Sequence, residues 1–414
     1  MEIEKTDKKI RVIHFCNQLG VGGTERTMEL FCTYLDRSRF EIFVVSVFRR
    51  PKFLDKLRLS TASALGHSKS KAKLNLWASF NARIPNFKKI IPSKNLFLID
   101  QSKNLDEAIA QTIKNIKPDV LHVHYSGTAE PPTNNFELLS SIPVTLTTNQ
   151  FEIQNTSKAH SLVKKMFFVS KWMLENKATW AKNDPRAEVF YNLIEKPLTK
   201  ETLRSNLGIP KDAFVVGRIG RADSGIHDPI SLKAYREVTL KSQSKTPMYF
   251  LALSAPENML RDAKEMGIKN FISLPANTDP VYVSRFFNSI DVLAHARRDG
   301  ETFGCNIAEA MMHRKPVISH LTPYMNAQKE IIGNGGFVVE EDEWQDYAEH
   351  LRQLYENPGL REEIAQKALS RALSEFEAER LTKRLEQSYL ELLSQKARRT
   401  YEQTNQVNAN YQPY

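Results

Sequence analysis

The stretch DVLAHARRDGETFGCNIAEAMMHRKPVIS, residues 291–319, decides how the chain is read. DVLAHA is a short apolar run suited to a strand. RRDGETFG is a charged loop bearing two glycines. CNIAEAMM has the apolar spacing of a helix, and KPVIS returns to strand-forming residues. Strand, loop, helix and strand make one βαβ unit, whose two strands must run parallel. Within the expected helix, residues 305–312, Glu309 is the only charge, and Glu301 precedes it by eight residues.

Outward from this unit the same alternation recurs. Toward the N-terminus IRVIHFC, FEIFVVSVF, DVLHVHY, VTLTT and MFFVS read as strands, and AEVFYNLI closes the series. TERTMELFCTYL reads as the first helix, with Thr24 as its cap. A proline-bearing linker, EKPLTKETLRSNLGIPKDA, interrupts the pattern. It restarts with the strands FVVGRIG, MYFLALS, KNFISLP, DVLAHA, KPVIS and GGFVVE, and from Glu343 onward it turns helical. The expected fold class is α/β, with two Rossmann-like domains facing each other across a cleft. Residues 1–195 form the first, 196–380 the second, and 381–414 a final helix with a polar tail.

Composition narrows the function. A chain of 414 residues, 41% hydrophobic, is long enough for two domains. Cys16, Cys32 and Cys305 are widely spaced and form no CxxC pair, so neither a disulfide framework nor a zinc cluster is expected. Free thiols suit a reducing cytoplasm. MEIEKTDKKIR is too charged for a signal peptide, and FEIFVVSVF is too short to span a bilayer. The expected location is the cytoplasm, with peripheral attachment to the inner membrane face an option. The net charge is +10, and residues 49–94 hold twelve basic residues against the single acid Asp55. This segment is either a solvated face or a patch for anionic lipid or an acidic acceptor. Nucleic acid is not expected as a partner, because no binding motif accompanies the charge.

In open α/β sheets, ligands lie outside the carboxyl ends of the strands. The loop before residues 305–312 faces that crevice. Gly304 lets the backbone approach a ligand, and the amides of Cys305 and Asn306 suit an anion at a helix N-terminus. Glu309, about one turn along, suits two neighbouring hydroxyls of a ribose; alternatively it reaches water or a local arginine. NQLGVGGTERT places Gly20, Gly22 and Gly23 after the first strand. It is neither a Walker loop nor GxGxxG, since Glu25 occupies the third glycine's place. Gly22 and Gly23 either admit a ligand closely or make a plain tight turn. VVGRIGR ends a strand with Arg218 and Arg221, which suit a diphosphate or a surface salt bridge. His122 and His124 share one strand face, but no third ligand for a metal is evident nearby.

In this order the pieces resemble the retaining GT-B glycosyltransferases of family 4. GETFGCNIAEA is similar to that family's two-glutamate signature, LGVGGTE to its glycine loop and VGRIGR to its strand-end arginine. KPVISHLTPYMNAQKEII lies where the family has its proline-valine strand and a following acid, here Glu330. The likeness covers roughly residues 10–393. It implies that Glu301 contacts the donor sugar and Glu309 the nucleotide ribose. Phe303, Gly304, Cys305, Asn306 and Arg218 would surround the diphosphate, and the final helix would cross back to the N-terminal domain.

Two positions depart from the family pattern. Ser224 stands where a lysine is usual, with Arg221 as its candidate substitute, and Asn149 stands in place of a histidine that follows a threonine. Asn149 can bond a sugar hydroxyl but carries no charge. The implied reaction is departure of a nucleoside diphosphate and same-face attack by a glycan or lipid-linked acceptor, as in surface polysaccharide or glycoconjugate synthesis. No metal or cofactor beyond the nucleotide-sugar donor is expected. The alternatives are a sugar-nucleotide epimerase or an inactive sugar-nucleotide-binding protein.

Overall fold

The computed structural model describes residues 8–49, 60, 79–101 and 104–409. The expectation placed on the basic segment 49–94 falls largely outside them. The chain forms two compact units. One contains residues 1–168, 178–190 and 379–414, and the other contains 169–177 and 191–378. The sequence suggests cuts at 195/196 and 380/381, the last piece crossing back to the first domain; the chain changes unit at 168/169, 177/178, 190/191 and 378/379. The expected polar tail is helical as far as Ala409.

The first unit is built on seven strands. These are β1 (Ile10–Cys16), β2 (Phe40–Phe48), β3 (Leu96–Asp100), β4 (Val120–Tyr125), β5 (Val144–Asn149), β6 (Val163–Phe168) and β7 (Ala187–Val189). They lie in the order β3-β2-β1-β4-β5-β6-β7 and pair in parallel throughout. β1 and β4 are buried on both faces, with apolar residues on one and histidines on the other. Ile13, Phe15, Leu121 and Val123 join one core cluster. The helix Gly23–Tyr34 has Gly22 at its N-cap and no side-chain cap. Thr24, expected as the cap, is the second helical residue and is buried.

The second unit has a six-stranded parallel sheet. Its strands are β8 (Phe214–Ile219), β9 (Met248–Leu253), β10 (Phe271–Leu274), β11 (Val292–Ala294), β13 (Val317–His320) and β15 (Gly336–Val339). Their order is β10-β9-β8-β11-β13-β15. A two-stranded parallel piece pairs β12 (Gly300–Glu301) with β14 (Met325–Asn326). In both units the strand order reverses at the first strand, between β1 and β4 and between β8 and β11. Ligands of doubly wound sheets bind beside that reversal.

The face of β1 and β4 opposite that core carries a stack of histidines. The β-ladder sets His14 directly across from His122, so a third ring joins the pair visible in the sequence. The three offer nitrogen atoms within 4.8 Å of one another. Their geometry is nevertheless that of a hydrogen-bonded stack. The His122 and His124 rings lie 4.2 Å apart at an interplanar angle of 28°. Imidazole lone pairs lie in the ring plane, so stacked rings do not converge on one ion. Both His122 nitrogens are also engaged, by the Tyr389 hydroxyl at 2.7 Å and the Thr148 hydroxyl at 2.7 Å. His14 Nδ1 lies 2.9 Å from His124 Nε2. Tyr389 belongs to the helix Ala378–Ala409, so this stack fastens the returning C-terminal segment to β4.

Burial pulls all three histidines below their ordinary value, His14 to about 3. A histidine whose folded value is depressed contributes stability that is intact above its unfolded value near 6.5. That contribution is lost as pH falls through 6.5 toward the folded value, because the unfolded chain takes up protons that the fold refuses. Each such histidine adds about 1.4 kcal/mol of destabilisation per pH unit once it is charged in the unfolded chain. Urea unfolding at pH 7.5, 6 and 5 should therefore show steep acid loss. The slope should be shallower in His14→Gln, whatever its starting stability; equal slopes would contradict the account.

Candidate functional site

The candidate site of the second unit is assembled at the carboxyl ends of β8 and β11. β8 ends in Arg218 and Ile219. The Arg218 side chain is only 3% exposed. Its Nη1 donates to the Ser254 carbonyl at 3.0 Å. No ion-pair partner meets it among the described residues. Burial, then the neighbouring Arg297, pulls its value down to about 10. A buried cation without a carboxylate is costly. Gly220 makes room for it, since a Cβ there would lie 3.2 Å from the Arg218 Nη2 atom.

The loop after β11 runs beside the loop after β8. An antiparallel bridge joins His227 to Arg297, and the Arg298 amide donates to the Ile226 carbonyl at 3.1 Å. The chain then turns sharply at Gly300, φ +67°, to pair β12 with β14. Glu301 thereby enters a ring of nitrogen donors. His295 Nε2 lies 3.1 Å and Arg297 Nη1 3.4 Å from its Oε1. Burial alone would raise the Glu301 carboxyl, but Arg297, His295 and Arg221 outweigh it and hold it below its ordinary value. Arg297 is paired with Asp299 through Nε and Nη2, at 2.9 and 2.6 Å. Despite burial, Glu301 and Asp299 keep Arg297 above its ordinary value. The Glu301 amide donates to Gln328 Oε1 at 3.2 Å, and Gln328 is fully buried.

Phe303, 1% exposed, anchors the next step in the core, where burial of such a ring is worth about 1.5–3 kcal/mol. Gly304 adopts φ +91° and starts the helix Cys305–Met312. A Cβ there would meet Ile307 Cδ1 at 2.8 Å, so glycine is needed for both conformation and space. The first amides of that helix point along its axis toward its N-terminal end. Asn306 Nδ2 donates to the Ile219 carbonyl at 3.1 Å and pins this end to the end of β8. Cys305, Asn306 and Glu309 are half-buried and, at helical spacing, share the less buried face.

The structure thus brings Arg218, Glu301, Phe303, Gly304, Cys305, Asn306 and Glu309 into one neighbourhood. Arg221 is exposed but within electrostatic reach of Glu301. Ser224 is exposed too, and its carbonyl accepts from Asn258 Nδ2 at 2.8 Å. Glu330 is occupied elsewhere in the unit. Its carboxylate accepts from the amides of Lys171 and Trp172 at 3.0 and 2.6 Å and from the Tyr191 hydroxyl at 2.8 Å. It therefore caps the helix Lys171–Asn176.

Gly22, Gly23 and Asn149 belong to the first unit. Gly22 leaves room for a carboxylate: a Cβ there would lie 2.3 Å from Glu25 Oε2. Glu25 is buried and accepts from Gln18 Nε2 at 2.7 Å and Ser126 Oγ at 3.1 Å. Asn149 is buried at the end of β5, and its amide nitrogen donates to Thr147 Oγ1 and the Phe167 carbonyl, both at 3.1 Å. Its N–H groups are thus spent on the fold. Sequence reasoning does not single out His295, Arg297, Gln328 or Ser254. The strand-end position of the first two within AHARR is the one signal that marks them.

Residues 199–371 match the family model described as Glycosyl transferases group 1. Over 185 residues the chain is 26% identical to the capsular polysaccharide biosynthesis glycosyltransferase CapM of Staphylococcus aureus, covering 43% of this chain and 46% of that protein. The chain spans less than half the length of the curated relatives it matches. Among solved structures, a glycosyltransferase from Rickettsia africae superposes with a TM-score of 0.66 at 16% identity, covering 93% of this chain and 99% of that one. Anabaena Alr3699/HepE in complex with UDP and glucose gives 0.60 at 15%, covering 92% and 99%. The fold is that of the GT-B glycosyltransferases: two Rossmann-like α/β domains with parallel sheets.

The position of Glu301 depends on Gly300, where a Cβ would fall 1.7 Å from the Met325 carbonyl oxygen. Gly208 has a similar φ of +65° but open space around it. Gly208→Ala should cost about 1 kcal/mol, the conformational term alone. Gly300→Ala should cost more, by about 1–3 kcal/mol for the forced backbone shift. Denaturant unfolding of the two variants checks this, and equal losses would show that the β12–β14 pairing is not what fixes Glu301.

Proposed function

We propose that the protein is a retaining glycosyltransferase that moves a sugar from a nucleotide-diphosphate sugar to an acceptor hydroxyl. The observation that carries this reading is Arg218, a buried guanidinium with no acid beside it among the described residues, at the strand reversal of the second unit. An anion at that point would offset the cost of burying the charge. The helix N-terminus at Cys305, pinned to the same strand end, adds amide donors and its dipole. Diphosphate fits both. In the reaction, charge grows on the departing diphosphate, and donors already in place stabilise it without reorganising.

Glu309 would take the ribose hydroxyls and Glu301 the hydroxyls of the transferred sugar. Retention comes with the family likeness, as does the idea that a donor phosphate oxygen takes the acceptor proton. The name of the curated relative CapM supports an acceptor in capsular or related polysaccharide assembly. A glycan or lipid-linked acceptor and a peripheral position on the inner membrane face belong to the same proposal.

The test begins with a panel of nucleotide sugars, screened by thermal shift and then by product analysis. Bound donor should raise Tm by mass action. Arg218→Ala should weaken nucleoside diphosphate binding about 10-fold or more, since charged hydrogen bonds contribute about 1.5–3 kcal/mol each. Unchanged affinity would remove the main support for the reading. An isomerised nucleotide sugar with no acceptor consumed would replace transfer by epimerisation.

The two glutamates should separate by experiment. Glu309→Gln should raise the dissociation constant of the free nucleoside diphosphate, and Glu301→Gln should leave it nearly unchanged while lowering turnover. Calorimetry on both variants decides the assignment, and equal affinity of wild type and Glu309→Gln would overturn it.

A further inference from the structure

Glu301 is held unevenly. Its Oε1 meets both His295 Nε2 and Arg297 Nη1. Its Oε2 has no hydrogen-bond partner among the described residues. One oxygen is therefore anchored by the fold and the other is left to a ligand. Behind His295 stands Ser319, fully buried on β13, with its Oγ 2.8 Å from His295 Nδ1. His295 is itself 5% exposed and follows the last residue of β11. The two strands are neighbours in the sheet, so the pair is set by sheet register and not by a loop.

From this geometry we infer that His295 is a positioning residue, which aims the Glu301 carboxylate at the donor sugar through a Ser319–His295–Glu301 hydrogen-bond chain. The inference rests on the reading of the site as a nucleotide-sugar site. For a ring carrying one proton, the direction of the chain follows from donor counting. A carboxylate only accepts, so Nε2 carries the proton and donates to Oε1. Nδ1 of the neutral ring is then an acceptor, and the Ser319 hydroxyl donates to it. A ring held at both nitrogens is restrained from rotating about its Cβ–Cγ bond. The carboxylate it holds loses the rotamer freedom that would otherwise blunt its aim, as with residues that orient metal ligands from behind. Arg297 supplies charge to the same oxygen, whereas His295 supplies direction. No bond is made or broken at His295, which places it outside the catalytic residues proper.

The experiment uses the full-length protein and two readouts. The first is the pair of imidazole nitrogen signals of His295, measured by long-range proton–nitrogen correlation without ligand. Wild type should show the tautomer protonated at Nε2, and Ser319→Ala should shift the Nδ1 signal. An Nδ1-protonated ring in wild type would overturn the chain.

The second readout is steady-state turnover with the donor that the nucleotide-sugar panel yields, together with binding of its free nucleoside diphosphate. His295→Ala should lower kcat about 30-fold and change nucleoside diphosphate affinity less than about 3-fold. His295→Gln, whose amide can donate to Oε1, should recover most of that loss. A parallel fall in affinity, or no rescue by glutamine, would mark His295 as structural only. A wild-type protein that turns over no nucleotide sugar would sink the functional reading; the imidazole signals would still decide the chain.

Discussion

An unpaired charge in the interior sets the terms for the second unit. Arg218 donates to one carbonyl and faces one other guanidinium, so its burial leaves positive potential at the end of β8. A fold keeps such a charge only where something compensates it. Much of the surrounding sequence serves this arrangement. Gly220 yields space to the guanidinium, and Asn306 draws a helix N-terminus against the same strand end. Positive potential and amide dipoles then add where they meet.

The first unit has the same topology and the opposite electrostatics. At its strand reversal the first turn of the helix Gly23–Tyr34 carries Glu25, buried and bonded to Gln18 and Ser126. A helix N-terminus occupied by its own carboxylate has little left for a phosphate. The glycine loop thus reads differently in three dimensions. Gly22 makes room for Glu25, not for a ligand's phosphates.

The parallel α/β architecture was legible because strands buried on both faces leave long apolar runs, and IRVIHFC, FEIFVVSVF and DVLHVHY are such runs. The two-glutamate segment was legible for a related reason: one charge in an apolar helix stands out. Partners supplied by register or by tertiary folding were not. His14 joins His122 only through the β1–β4 ladder, and Tyr389 reaches that stack from 267 residues away. Thr24 looked like a cap, yet Gly22 holds that place and the acid one turn in supplies the electrostatics. The return of residues 178–190 to the first unit carries no local signal either, since unit membership is decided by packing; that of 379–414 was expected from the family likeness and not from local sequence.

The place where lysine was expected shows how charge has been redistributed. Ser224 is exposed, its carbonyl taken by Asn258, so a cation there would be largely screened by water. Arg221 shares that exposure. Arg297 is a half-buried cation joined to this segment through the bridge to His227. Its charge, however, is balanced by Asp299 and Glu301, and pulling it toward a ligand would strand two carboxylates in a poorly solvated place. Among the described residues, Arg297 is therefore balanced by carboxylates, and Arg218 is not. The first holds Glu301 in place, and the second remains the unbalanced charge at the end of β8.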